Sequence, residues 1–471
     1  MSRELGFSSF TGSAARGGGS RNRPDHANSH YFRSSRGGRG GASARPSAPE
    51  TNIKQGLDTS KIIETIPQPT SASAPEDLPI ENVKYVASYN WVDTDKPTIV
   101  VPGSPAIWKG HAVPFTLQPD DGSVFVDQNS ARLSEYPMLP LFAAADAIHG
   151  PKATASPVDW PTVDVITDRN GLRKLLRWLN PSPGREVRDF RIDIQLVGTK
   201  TLVLGRWEGR SREPPSGRTY GFGFEGATTR AAPGCPPSGH HRAITYDMLG
   251  VKMVVRFEVD ACLPTATSSA PKTTPASVDD LADALGGMNI KHRTPATTKT
   301  TTSSSSPLID IVRAGTQVPQ EALVEVTSRS AYFLDQLDWN ELYPQLALSQ
   351  TPALHMGVHE RGVFSQLHEW QLDERPPRAG TRATSGAAAG AAKAPDISAQ
   401  RRKTGAQIVR LARLLEVVQE LAIARGAGPA GSFSLVCEGG ELRVYARKRD
   451  AGAKSCLPPD VVARFEAHKK I

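Results

Sequence analysis

Residues 251–260 read VKMVVRFEVD, and the alternation in that run decides the fold. Side chains on a strand repeat every two residues, so Met253, Val255, Phe257 and Val259 face one way. Lys252, Val254, Arg256, Glu258 and Asp260 face the other. The segment reads as a buried strand that ends in two carboxylates.

The same alternation recurs on both sides of it. Upstream, DFRIDIQLV puts Phe190, Ile192, Ile194 and Leu196 on one strand face, with Leu202–Leu204 as the expected partner. Tyr85–Trp91 and Thr98–Val101 read as two earlier strands, the second stopped by Pro102-Gly103. Between these lies Thr167-Asp168 followed by RNGLRKLLRWL. Its leucines 172, 175, 176 and 179 recur at i, i+3, i+4 and i+7, the signature of an amphipathic helix with Arg169 in its first turn. Downstream, ALVEVT sets Ala322, Val324 and Val326 against Glu325. A helical segment spans about Trp339 to Ser349, although Pro344 argues against a long helix, and a strand LHMGV follows. A last helix carries Ile408, Leu411, Leu415 and Val418 on one face. It precedes a hairpin, SFSLVC and ELRVYA, joined through Glu438-Gly439-Gly440. The expected fold class is therefore α/β (α+β), a mixed twisted sheet flanked by helices.

Composition sets the limits of that domain. Of 471 residues, 38% are hydrophobic, and Gly and Pro together supply 79 positions, more than one compact domain of this length would carry. Residues 1–82 are expected to form a disordered tail, with Arg16-Gly17-Gly18-Gly19 and Arg36-Gly37-Gly38-Arg39-Gly40-Gly41 within it. Arg36 and Arg39, near Tyr31 and Phe32, suit single-stranded RNA, because guanidinium groups pair with phosphates and stack on bases; a plain solubilising tail has the same composition. Residues 83–262 form the first part of the domain. Residues 263–307 are an insertion in which 22 of 45 positions are Ser, Thr or Pro. The second part runs over 308–375, an Ala/Gly-rich linker over 376–400, and the C-terminal helix and hairpin over 401–471 are expected to pack on the domain.

The excess of 56 Lys and Arg over 48 Asp and Glu gives a net charge of +8. No apolar run is long enough to cross a bilayer and the start MSRELGFSSF lacks a signal core, so the expected location is intracellular, nuclear or cytoplasmic, with no membrane partner. Cys235, Cys262, Cys437 and Cys456 are too scattered for a disulfide frame or a zinc site and read as reduced thiols. His240-His241 reads as an exposed loop pair. Asp279-Asp280-Leu281-Ala282-Asp283 spells DDxxD, but a single copy in a Ser/Thr/Pro insertion does not make the paired helical site that this motif serves.

Glu258 with Asp260, and then Glu325, place carboxylates on two buried strands. Carboxylates aimed at one place repel unless a proton or a cation neutralises them. A hard divalent ion, Mg²⁺ or Mn²⁺, is the natural partner, and a solvated charged face is the alternative.

The order of motifs resembles the PD-(D/E)XK nucleases, and most closely the DXO family of eukaryotic RNA 5′-end decapping enzymes and exoribonucleases, in a fungal-type form. The residues that carry the resemblance are Arg169 in TDRNGLRKLL, Glu225 in GFGFE, Glu258 and Asp260 in FEVD, Glu325 in VEVT, Gln345 in PQLALSQTP and Gly357 in LHMGVHERG. They span about 165–365. The resemblance implies that Glu225, Asp260 and Glu325 bind metal, with Glu258 holding a water on it. It implies that Gln345 orients the scissile phosphate or the attacking water, and that Arg169 binds RNA phosphate. One position departs: the family's lysine after Glu325 falls at Thr327. Lys252 and Arg256, on the same strand face as Glu258, are the candidates to replace its charge. The implied activity is metal-dependent hydrolysis at RNA 5′ ends, and the alternative is an RNA-binding or scaffold protein that keeps the fold without catalysis. RNA is the expected partner, and the disordered segments offer room for a protein partner.

Overall fold

The computed structural model describes residues 52–70, 75–150, 158–181, 186–215, 217–237, 239–264, 307–372, 396–426, 431–448 and 455–466. The Arg-Gly segment with Arg36 and Arg39, nearly all of the 263–307 insertion with its DDxxD, and most of the 376–400 linker lie outside the described residues.

The Val251–Val259 strand sits inside an eleven-stranded mixed sheet. It pairs antiparallel with His240–Met248 and parallel with Val165–Asp168. Met253, Val255, Phe257 and Val259 enter one apolar cluster with Leu172, Leu175, Leu176 and Leu179 of the Arg169–Leu179 helix. Leu346 of the Trp339–Ser349 helix and Leu411 and Leu415 of the Ile397–Arg425 helix join them. Val254 faces a second cluster on the opposite side, built from the Leu139–His149 helix, Trp160 and Phe465. Both faces of the sheet are thus covered, as a long mixed sheet requires.

After Val259 the chain changes sheets. Ala261–Cys262 pairs antiparallel with Val324 and Leu323, opening a seven-stranded sheet that continues through Leu323–Ser330, Ala353–Glu360 and Val363–Gln371. Asp260 stands at the step between the two sheets.

Three features differ from the sequence reading. The tail was expected to reach residue 82, yet Leu57–Ile66 is already a strand, paired antiparallel with Glu441–Arg447 at the sheet edge. Only Leu57 and Ile66 of its ten residues are buried, so its sequence has the polarity of a linker. Pro344 does not interrupt the Trp339–Ser349 helix. That helix packs against both the Arg169–Leu179 and Ile397–Arg425 helices, and this tertiary packing outweighs the hydrogen bond that proline removes. His240 and His241 are buried within a strand, not exposed. The His240 ring pairs with Asn90 at 2.9 Å, while His241 pairs with Gln128 at 3.1 Å and stacks on Tyr89.

The hairpin Ser432–Glu438 and Glu441–Arg447 lies within the large sheet, between the Leu57–Ile66 edge and Phe190–Val197. No helix among the described residues is long and apolar enough to cross a membrane.

Candidate functional site

The Arg169–Leu179 helix begins where Asp168 caps it, accepting the Gly171 N–H at 2.8 Å. Its leucines point into the core, so the face at i, i+4, i+8 carries Arg169, Arg173 and Arg177 into a cavity of about 760 Å³. Nine arginines and one lysine line that cavity against seven carboxylates, which leaves its wall net positive. Arg173 is deeply buried beside two other guanidinium groups. Burial, with Arg177 and Arg169 adding to it, holds its pKa well below the usual arginine value. A concave site that crowds guanidinium groups in this way favours an anionic ligand.

The opposite wall holds the acids. Glu225 projects from the short Gly221–Thr228 helix, whose first N–H groups, from Phe222 and Gly223, are accepted by Asp120 at 3.3 and 2.9 Å. Phe224, next to it, packs into the core where Gly357 leaves room; a Cβ at 357 would run into the Phe224 ring. Gly357 therefore positions the helix that carries Glu225. Glu258 enters the same cavity from the end of its strand.

Burial pushes the Glu225 carboxyl up to about 8, and the nearby charges of Glu258, Glu325 and Asp120 add to the effect. Burial likewise raises Glu258 to about 8, with Arg169 opposing and Glu325 reinforcing the shift. Glu225, Glu258 and Glu325 thus repel one another across one site.

Glu325 itself is 1% exposed and held on both sides. Arg169 Nη1 donates to its Oε2 at 3.1 Å, and Gln345 Nε2 donates to its Oε1. Ser349, one turn beyond Gln345 on the same helix, accepts from Arg169 at 3.3 Å and returns its own hydroxyl to the Gln345 carbonyl at 3.0 Å. Asp260 accepts the backbone N–H of Val326 at 2.7 Å, which ties the step between the sheets to the strand of Glu325. Arg169, Gln345, Glu325, Glu258 and Asp260 are therefore gathered at one end of the sheets.

Thr327 is buried and lines the cavity two residues beyond Glu325. Of the two residues considered in place of the family's lysine, Arg256 lines the cavity, where its Nη1 donates to the Pro137 carbonyl at 2.6 Å. Lys252 is exposed at the other end of the strand, about 20 Å of strand rise from Glu258, and does not line the cavity.

Sequence reasoning missed a further group. Arg206 Nε meets Asp168 at 2.8 Å, its Nη2 meets Asp127 at 3.4 Å, and its Nη1 meets Glu208 at 2.9 Å. Burial alone would lower the Arg206 pKa, but Asp168, Asp127 and Glu208 more than offset it, so this guanidinium is permanently charged. It braces the residue that caps the Arg169 helix. The i, i+4, i+8 spacing of Arg169, Arg173 and Arg177 was visible in the sequence; the bracing of Asp168 from another strand was not.

The donors expected for a divalent ion are all hard oxygens, and the crowding of Glu225 against Glu258 and Glu325 fits a cation in chemical type. In their present rotamers Asp260 and Glu325 are engaged by protein partners. Among the described residues, no group of three His, Cys, Asp or Glu side chains is placed to hold a metal ion.

A family model described as "Domain of unknown function (DUF8563)" matches residues 60–375. No curated protein matches the chain. Solved structures similar to it include Scheffersomyces stipitis Rai1 in complex with (3′-NADP)⁺ and calcium ion, at 11% identity and a TM-score of 0.47, covering 85% of this chain and 99% of that one. Candida albicans Rai1 in complex with pU5-Mn²⁺ is similar at 10% identity and a TM-score of 0.45, over 84% and 99% of the two chains. K. lactis Dxo1 in complex with manganese is similar at 9% identity and a TM-score of 0.40, over 84% and 98%.

Proposed function

The chain belongs to the family described as a domain of unknown function, DUF8563, and we propose that it acts as a metal-dependent hydrolase on RNA 5′ ends, of the decapping, pyrophosphohydrolase or 5′–3′ exoribonuclease type. One observation carries this reading: Glu225 and Glu258 enter the same cavity as Arg169, Arg173 and Arg177. Guanidinium groups beside a cluster of crowded carboxylates make a site for a phosphate chain at one wall and a cation at the other.

In this reading Glu225, Asp260 and Glu325 would hold Mg²⁺ or Mn²⁺, which when bound lowers the pKa of water and neutralises charge on a phosphoryl group. The protein's own groups divide the remaining work. Arg169, Arg173 and Arg177 would bind the phosphates. Gln345 fixes the orientation of the Glu325 carboxylate. Glu258, crowded by Glu325 in the absence of a cation, would hold a water on the metal.

A second reading, an RNA-binding or scaffold protein without catalysis, draws on the buried Arg169–Glu325 ion pair and on Thr327. In that reading a guanidinium neutralises Glu325 permanently and the cavity only binds. The two readings part in one experiment: purified protein is incubated with 5′-triphosphate, capped, NAD-capped and 5′-monophosphate RNAs in Mg²⁺ and in Mn²⁺, and both binding and product release are measured. Hydrolysis of any of these RNAs that is lost in Glu225→Gln supports the enzyme. Binding without turnover supports the scaffold, and no binding refutes both.

A further inference from the structure

The 3₁₀ turn Ala331–Gln336 follows directly on the strand that carries Glu325 and Thr327, and two aromatic rings stand open at its start. Tyr332 is 82% exposed and Phe333 is 44% exposed. Aromatic rings of this size ordinarily gain from burial, and these two are adjacent and open to solvent. Their centroids lie 5.0 Å apart with planes crossed at 83°, so each ring supports the other edge-on while a face remains free.

Their position gives the use. Phe333 lines the same cavity as Arg169, Arg173 and Arg177, together with Arg329 and Ser330. A strand rises about 3.4 Å per residue, so the three steps from Thr327 to Ser330 place the turn on the order of 10 Å along the strand from Thr327. Phe333 therefore stands in the wall of a cavity that carries guanidinium groups and carboxylates, with Tyr332 beside it. Ala331 and Leu334 on either side are half-buried and Ser328, Arg329, Ser330, Asp335 and Gln336 are polar, so Tyr332 and Phe333 are the exposed large hydrophobic side chains of this turn. A small flat ligand fits that surface better than a broad apolar protein face does.

We propose that Tyr332 and Phe333 form a stacking platform for an unpaired nucleobase of the RNA strand whose 5′ phosphates enter the cavity. The proposal deepens the RNA 5′-end reading and rests on it. Every base has a π-face, so the platform accepts any sequence, with stronger stacking for purines, while the guanidinium groups hold the backbone. Phosphate charge and base face are then recognised by separate side chains, and a duplex end, whose bases are already stacked, gains nothing from the rings.

The test measures affinity for a 5′-monophosphorylated single-stranded RNA pentamer and for the same strand made abasic, using parent, Tyr332→Ala/Phe333→Ala and Tyr332→Trp/Phe333→Trp proteins. The platform predicts that the double alanine variant binds the base-bearing strand about tenfold more weakly or worse. It also predicts that this variant binds the abasic strand as the parent does, that the tryptophan variant keeps the parent affinity, and that its melting temperature is unchanged. A 2-aminopurine near the 5′ end should be quenched by the parent and not by the alanine variant. Equal affinity of parent and alanine variant for the base-bearing strand overturns the platform and leaves RNA binding standing, as does a loss shared equally by both strands. If the parent binds neither strand, the RNA reading itself falls and the platform with it.

Discussion

Replacing Arg169 by methionine removes a guanidinium that donates to the buried Glu325 carboxylate. Arg169 and Glu325 are each 2% exposed in their side chains and meet at 3.1 Å. Methionine keeps much of the length of the stem but removes the guanidinium that donates to Glu325 and lies over the Phe257 ring. Breaking a buried pair in this way costs about 3–5 kcal/mol, because the surviving charge stays out of water. Removing both partners, with Arg169→Met and Glu325→Gln together, leaves no stranded charge, so the double variant should lose much less than the sum of the single losses. Urea unfolding at neutral pH measures all three variants against the parent. The same experiment probes the ion: if Glu325 is a metal ligand, Mn²⁺ can supply the missing charge. At a hundredfold excess over its dissociation constant it should restore about 2.7 kcal/mol to Arg169→Met. An Arg169→Met protein within about 0.5 kcal/mol of the parent would refute the ion-pair argument, since surface changes are of that size. A large loss that Mn²⁺ does not repair would keep the pair and remove Glu325 from any metal site.

Three further outcomes are expected. Thr327→Lys places an ammonium in the cavity beside Glu325 and should raise the hydrolysis rate by tenfold or more if the missing lysine limits catalysis; if the parent is active and Thr327→Lys leaves its rate unchanged, Arg256→Ala should cut that rate about a hundredfold or more, and an Arg256→Ala rate equal to the parent's would exclude Arg256 from the role. His241, driven by burial and by Arg256 down to about 3 from an ordinary value near 6.5, is neutral in the fold, so its contribution is fully present above about pH 6.5 and is lost as pH falls toward about 3. Melting temperatures of His241→Gln should therefore decline less than those of the parent over that range, and parallel curves would show that His241 is not responsible. Deleting residues 1–50, which stops short of the Leu57–Ile66 strand, should flatten the salt dependence of RNA affinity and leave the melting temperature unchanged; an unaltered slope would exclude the Arg-Gly segment from RNA contact.

The elements were legible where one residue pattern sufficed. The alternation of Met253, Val255, Phe257 and Val259 marks their shared face, and the leucine spacing after Arg169 marks the helix and the side of it that is buried. What lay beyond reach depends on partners far along the chain. His240 and His241 are buried because Asn90 and Gln128 receive them, 150 and 113 residues away. The place of Asp260 depends on a two-residue strand, Ala261–Cys262, too short to announce a change of sheet. The Arg169–Glu325 contact joins residues 156 apart, and nothing local to either encodes it. Leu57–Ile66 was hidden because an edge strand needs few apolar residues.

That edge strand also imposes an order on the birth of the molecule. Leu57–Ile66 pairs with Glu441–Arg447, and Phe190–Val197 pairs with Ser432–Glu438, so both wait for the last part of the chain. Ribosomes add about 5–20 residues per second, so the roughly 380 residues between Ile66 and Leu442 take on the order of 20–75 s to appear. For much of that interval the apolar strand FRIDIQLV has one hydrogen-bonding edge open to any passing chain. Until the C-terminal hairpin arrives that edge has no strand to pair with, and a chain truncated before residue 432 lacks the strand that closes it.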